Sequence, residues 1–236
     1  MKMNVDLHIH TVLSGCCQDD NTVNNLVNMC QLLNKDFIAF ADHNSMANCR
    51  VGAKLAKQAG MIFVPAMEVT SAEDVHCLCL FKELQNGLIL ADEIERNLPK
   101  FPLDDRFYAP QRVLDESDQV VQTIPHFLNL ACHLDVYELK QKVEQLGGLM
   151  LPAHIDRDAN SMLAILGDIP NDLDFCAVEL SSRASEELIK KYSAKYNILK
   201  SSDAHCLETL CSFEFFLDLR EKSIDALFDF LQNKSK

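Results

Sequence analysis

Glycine is scarce in this chain, at seven of 236 residues, and none of the seven belongs to a Gly-x-Gly-x-x-Gly fingerprint or a Walker loop. Those loops cradle nucleotide phosphates with backbone amides, so a nucleotide held in that way is not expected. Basic residues are also few: 22 Lys and Arg stand against 35 Asp and Glu, a formal charge of -13. Duplex nucleic acid is bound by neutralising its phosphates, and this chain has no composition for a broad basic surface. The expectation is therefore no duplex nucleic acid partner. A small phosphorylated substrate stays compatible, because bound divalent metals can dominate the local field of an acidic protein. No apolar run approaches the roughly 18 residues that span a bilayer, and no basic-plus-apolar leader is present. A cytoplasmic protein with no membrane partner is expected. Ten cysteines are present without a Cys-x-x-Cys pair, several inside apolar segments (Cys77, Cys79, Cys176), and most read as buried reduced thiols.

What is present is enough apolar residue, 48%, for one sizeable core, with no Pro/Gly/Ser linker dividing it. Residues 1–236 read as a single domain. Val5 to His10 alternates as a strand, and a turn-rich loop runs from Val12 to Asn21 with Cys16 in its middle. Thr22 caps a helix, Phe37 to Ala41 is a strand, and Ser45 opens a second helix that Gly60 closes. Met61 to Met67 reads as a strand ending in Glu68, and Val75 to Phe81 as a strand with His76 near its start. From about 82 to 133 the pattern loosens into a helix, then Pro99, Pro102 and Pro110 among mixed charges and a short apolar piece at Val120 to Ile124, which reads as an insertion or lid. Further strands end near His154, Leu180 and Asp203, and an amphipathic helix covers Ser223 to Leu231.

Seven or so strands alternating with helices, each strand delivering ionisable residues at one end, describe an α/β fold of (β/α) barrel type with an inserted segment. A doubly wound open sheet is the alternative. Closure is preferred because His8 and His10 project from one face of the first strand, and Asp203 and His205 offer the same chemistry almost a chain length away. The strand-end set is His8, His10, Asp42, His43, Glu68, His76, His154, Asp203 and His205, which takes six of the eight histidines. A single strand-end His is usually a satisfied core residue. Six of them beside carboxylates are hard to bury without a common partner, and imidazole with carboxylate suits Zn, Mn or Fe at a catalytic site. His126 and His133 fall outside this pattern and read as structural or surface residues.

Asp6-Leu7-His8-Ile9-His10-Thr11, Ala41-Asp42-His43-Asn44, Glu68, Val75-His76, Pro152-Ala153-His154 and Ser202-Asp203-Ala204-His205 together resemble the motifs of the PHP (polymerase and histidinol phosphatase) superfamily of metal-dependent phosphoesterases, in the family's order. The resemblance implies a distorted (β/α)7 TIM-like barrel, with the inserted segment, holding two or three divalent metals. It assigns His8, His10, Glu68 and Asp203 to the first metal, Glu68 as a bridge with His76 and His154 to the second, and His43 and His205 to the third. Cys16 stands where the family usually supplies a further His or Asp, and a thiolate could ligate Zn there. Asp42 and Asp6 are expected to support the ligands from behind, Asp42 because it points away from His43 on an extended backbone. His43 or His205, where not metal-bound, would protonate the leaving group, and Asp203 belongs to the same catalytic set. Arg157 and then Arg183 are the candidates to orient a phosphate. The implied activity is hydrolysis of a small phosphate ester, of nucleotide or short-oligonucleotide type, by a metal-bridged hydroxide. The alternatives are a histidinol-phosphatase-like enzyme and a non-catalytic binding or regulatory module of the same fold.

Overall fold

The protein was analysed as a computed structural model that describes residues 1–233. Its first half runs β1 (Lys2–Ile9), α1 (Val23–Leu32), β2 (Phe37–Phe40), α2 (Cys49–Gln58), β3 (Ile62–Phe63), β4 (Ala66–Thr70), β5 (His76–Leu80) and α3 (Leu84–Asn97). A hairpin, β6 (Gln111–Leu114) and β7 (Val120–Ile124), precedes α4 (Val136–Gln145), β8 (Leu149–Pro152) and α5 (Met162–Leu166). The chain then forms β9 (Ala177–Leu180), α6 (Glu186–Ser193), β10 (Asn197–Lys200), α7 (Leu207–Cys211), β11 (Phe216–Asp218) and α8 (Ile224–Gln232).

Local chemistry sets several of these boundaries. The Thr22 hydroxyl accepts from Asn25 N–H at the start of α1, and Asp135 with Glu138 forms a reciprocal capping box on α4. The helix expected from Ser45 begins four residues later, at Cys49. Asn44 there adopts the left-handed region at φ 51°, and the Asn48 side chain is engaged by Thr11, Arg112 and Leu114. The strand expected over Met61 to Met67 is two strands. Pro65 has no N–H for a ladder, and the chain leaves β2 before it and pairs with β5 after it. Glu68 thus lies within β4 and not at its end.

The distorted (β/α)7 barrel expected from the sequence does not close among the described residues. Among the described residues the ladders form four sheets, ordered β11-β1-β2-β3, β4-β5-β8, β9-β10 and β6-β7, and no closed barrel. β5 runs antiparallel to both β4 and β8. The reason is the connection 71–75, a tight turn in which Ser71 N–H bonds Val75 O at 2.9 Å; a parallel partner would need a crossover of a dozen or more residues. β11 is likewise antiparallel to β1. The alternation of strand and helix holds elsewhere, so the class is α/β.

Two core clusters sit on either side of the strands. One takes Val5, Leu7, Phe37, Ala39, Leu78, Leu151 and Leu199 from five strands and meets Leu227, Phe228 and Leu231 of α8. The other gathers the remaining helices, with Leu26, Cys49, Leu90, Leu139 and Val143 among its members. At the end of the molecule that carries the ionisable residues, single contacts join the sheets: bridges Ile9–Ala204 and His43–Glu68, and Ile155 N–H to Glu179 O at 2.9 Å. No helix among the described residues is long and apolar enough to cross a membrane.

Gly52 in α2 marks the tightest helix–strand approach, since a Cβ there would lie 2.5 Å from Phe40 Cε2 and 2.8 Å from Phe63 Cε2. Alanine in a helix interior gains about 1 kcal/mol over glycine, but overpacking a closed core loses about 1–3 kcal/mol. Phe40 is fully buried and cannot yield. Gly52→Ala is therefore expected to lower the midpoint of thermal unfolding; an unchanged or higher midpoint would show that the core relaxes around the new methyl.

Candidate metal centre

β1 ends by presenting His8 and His10 from the same face, and both are fully buried. Glu68 of β4 lies beneath them. Its Oε1 is 3.3 Å from His8 Nε2, 2.9 Å from His76 Nδ1 and 3.0 Å from His154 Nε2, while its Oε2 is 2.9 Å from His43 Nδ1 and 3.5 Å from His10 Nε2. His76 reaches this cluster from the first residue of β5 because that strand is reversed. Its carbonyl accepts from Ala153 N–H at 3.1 Å, next to His154. Asp203, after β10, places Oδ1 3.1 Å from His10 Nε2 and 3.6 Å from both His8 Nε2 and His205 Nδ1.

The outer hydrogen bonds determine where the lone pairs point. His8 Nδ1 lies 3.0 Å from Glu179 Oε2, a carboxylate that only accepts, so Nδ1 carries the proton and Nε2 the lone pair. His10 Nδ1 lies 3.1 Å from Ser14 Oγ, and Ser14 already donates its proton to Asp42 Oδ1 at 2.7 Å. Ser14 must accept from His10, so His10 Nε2 also carries a lone pair. These two Nε2 atoms face each other at 3.1 Å, with carboxylate oxygens around them. Two neutral rings cannot face each other this way: either a proton on His8 Nε2 or a metal cation in its place must lie between them. His43 Nδ1, His76 Nδ1 and both Asp203 carboxylate oxygens are buried without hydrogen-bond geometry to any partner, which is how donor atoms aimed at a metal look.

Four groups of three donors have their ligand atoms within 4.8 Å of one another: His8, His10 and Asp203; His43, Glu68 and His76; His10, His43 and His205; and Cys16, Cys17 and His205. The donor set fits divalent metal of the Zn, Mn or Fe kind. Burial alone would raise the Glu68 carboxyl, but His76 and His8 beside it hold it well below the usual range. Asp203 shows the same balance, with burial outweighed by His8 and His10. Burial, then the neighbouring His205 and His43, push His10 down to about 3, so it stays neutral and ready to ligate. His8 moves the other way: burial disfavours its charge, yet Glu179, Glu68 and Asp203 together raise it well above its ordinary value. The Cys17 thiol draws Cys16 far down; burial opposes this, and His205 and His43 add to it, which favours the thiolate that binds metal.

The remaining candidates divide between support and substrate. Asp42 accepts from Thr11 N–H and Oγ1 at 2.7 and 2.8 Å and from Ser14, so it holds the turn behind His10. Asp6 accepts from Ser202 N–H at 3.1 Å, one residue before Asp203, and burial pushes its carboxyl up to about 6. It touches no prospective ligand ring. A cavity of about 200 Å³ opens on Cys16, His43, Glu68, His76, His154 and His205. It adjoins one of about 560 Å³ lined by Arg157, Arg183, Ser181, Ser182 and Thr209. Arg157 lines both and pairs with Asp203, whereas Arg183 is exposed and lines the outer cavity alone, together with His205. Among the lid-like residues 82–133, Asn129 borders the inner cavity, and Ala109 N–H bonds Gly15 O at 2.9 Å beside Cys16. His126 pairs with Glu95 away from the cluster. Sequence reasoning missed Glu179, Ser14 and Cys17. Glu179 had a signal, a lone carboxylate inside the apolar run Phe175 to Leu180; Ser14 looked like any turn residue.

No protein-family model and no curated protein matches the sequence. Solved structures do. The lesion-specific endonuclease EndoQ of Pyrococcus furiosus superposes with a TM-score of 0.68 at 15% identity, over 98% of this chain and 56% of that one. Endonuclease Q in complex with a 27-mer duplex bearing an abasic lesion gives 0.64 at 16%, over 97% and 56%. This chain thus spans little more than half the length of those structures. A metal-dependent phosphoesterase from Bifidobacterium adolescentis, so assigned without proof of activity, matches at 0.57 and 16%, over 85% and 87%. An amidohydrolase from Chromobacterium violaceum with bound sulfate matches at 0.61 and 16%, over 93% of each chain. These likenesses show that the chain shares its fold with those metal-dependent phosphoesterase, endonuclease and amidohydrolase structures.

Metal and proton compete for the same lone pairs, so metal binding releases protons. Affinity for Zn or Mn is expected to rise with pH, because His8, whose pKa is raised, must lose its proton to ligate. Calorimetric titration in buffers of different ionisation enthalpy measures the protons released per metal. A pH-independent affinity with no proton release would contradict this account of the cluster.

Proposed function

We propose that the protein is a metal-dependent phosphoesterase that hydrolyses a small phosphate ester of nucleotide or short-oligonucleotide type. The observation that carries this reading is the convergence of ring nitrogens from six histidines on Glu68 and Asp203 at the floor of a cavity whose wall holds Arg157. His8, His10 and Asp203 would hold one metal, Glu68 with His76 and His154 a second, and His43 and His205 with Cys16 a third. Metals bound there would supply an acidified water and neutralise phosphate oxygens. Arg157, where the two cavities meet, would orient the phosphate by a two-pronged contact, and Arg183 would meet an outer anionic group. His205 commits Nδ1 to the Asp203 carbonyl at 3.0 Å, which leaves Nε2 to protonate the leaving oxygen when no metal takes it. Segment 82–133 would act as an inserted lid in a single barrel-like domain.

A second reading, cleavage of nucleic acid at a lesion, is favoured by one observation: the endonuclease Q structure of matching fold is bound to a damaged duplex. The charge of -13 weighs against it, since a duplex groove needs basic contacts.

Phosphate release by Mn- and Zn-loaded protein should be measured across nucleoside mono- and bisphosphates, short oligonucleotides, histidinol phosphate, an aryl phosphate and a duplex with an abasic site. Metal-dependent release from a small ester is expected, abolished by chelator. Asp203→Ala should lower it by more than the roughly 100-fold that loss of an outer partner produces. Cleavage of the duplex alone would establish the second reading, and silence across the panel with metal bound would overturn the enzyme reading.

A further inference from the structure

Glu179 lies in β9, is 1% exposed and is not among the groups assigned above to metal or substrate. Its carboxylate does two things at once. Oε2 lies 3.0 Å from His8 Nδ1, with Oε1 at 3.2 Å from the same nitrogen, and Oε2 also accepts the main-chain N–H of His154 at 3.0 Å. His8 comes from β1 and His154 from the end of β8, so one side chain ties two prospective ligands from distant strands. On His8 the contact keeps the proton on Nδ1 and the lone pair of Nε2 inward. On His154 it satisfies a buried N–H at a residue whose φ is 27°, in the left-handed region that a side chain with a Cβ disfavours. With that acceptor gone, the donor would be buried unpaired and the backbone would be free to relax, turning the imidazole away from Glu68, which it meets at 3.0 Å.

We propose that Glu179 is a positioning residue that couples the two halves of the metal centre. Its loss weakens metal binding at the His8–His10–Asp203 group and at the Glu68–His76–His154 group together, whereas loss of a single ligand such as His154 falls on its own half. This inference rests on the metal-centre reading, and its test does not depend on turnover.

The full chain, stripped of metal and titrated with Zn and Mn, should be compared for wild type, Glu179→Gln, Glu179→Ala and His154→Ala by calorimetry, with the bound metal counted after dialysis. Nitrogen-15 NMR of the Zn-loaded protein reads the His8 tautomer. Glu179→Gln keeps shape and an acceptor but removes the charge. It is expected to keep the wild-type circular dichroism, to lose about 10–100-fold in affinity at both groups, and to shift the His8 nitrogen signals away from the Nδ1–H form. His154→Ala is expected to weaken one binding step and leave the other. Wild-type affinity in Glu179→Gln, a loss confined to one step, or unchanged His8 signals would each overturn the coupling; should Glu179→Ala fail to fold, Glu179→Gln decides. Absence of any divalent metal binding by the wild type would instead overturn the metal-centre reading and the coupling with it.

Discussion

Five imidazole nitrogens lie within 3.5 Å of the Glu68 carboxylate, a group only 1% exposed. Burying an ion without partners costs several kcal/mol, so the fold must deliver those rings to one place or lose the carboxylate's solvation for nothing. That demand explains the main departure from a parallel barrel. In a parallel array the first residue of a strand lies at the wrong end. The tight turn 71–75 reverses β5, so its opening residue, His76, pairs in register with Thr70 of β4 and arrives beside Glu68 and His154. The site and the break in the sheet have one cause.

The supporting shell is as buried as the ligands. Asp42, Ser14 and Glu179 are each 1% exposed and spend their hydrogen bonds on fixing the rings and main chain of the inner residues. Asn44, His154 and Asp203 adopt positive φ, 51°, 27° and 49°, each a conformation of order 1–3 kcal/mol above the ordinary regions. A cation that binds the folded chain and not the unfolded one offsets such strain by mass action, and so metal binding and stability are linked in this arrangement.

The strand ends and their ionisable residues were legible because period-two alternation and apolar runs survive in a single sequence. His8, His10, His43, His76, His154, Glu68, Asp203 and His205 do meet in space. What was not legible depends on pairing between distant segments. Pro65 is the one sign in Met61 to Met67 that the ladder is broken, but nothing there says which sheet each half joins, and nothing in Val75 to Phe81 announces its direction except the shortness of the preceding turn. Glu179 was overlooked because a carboxylate in a strand looks like a solvated face until a buried ring is placed against it. Ser14 carries no periodic signal at all. Its role exists only because Asp42, from another strand end, takes its proton.

The charge balance bears on what such a site can accept. Of the residues lining the two cavities, the Lys and Arg members are Arg157 and Arg183, while Asp156 and Asp158 sit on the same wall. Asp156 is committed to the Ser181 N–H and hydroxyl at 2.7 and 2.6 Å, so it shapes the wall and offers little to a ligand. A phosphate at the floor would meet metal and Arg157, and an outer anionic group would meet Arg183. Beyond that reach the chain's net charge of -13 works against further phosphates, an effect that extends about 8–10 Å at physiological salt. Under the proposed reading a long polyanion would accumulate that repulsion along its length, whereas a compact ester would meet mainly the metals and Arg157. The same argument sets the condition under which the likeness to a duplex-binding endonuclease could extend to substrate: the basic contacts to the duplex would have to come from outside this chain, which spans 56% of that structure.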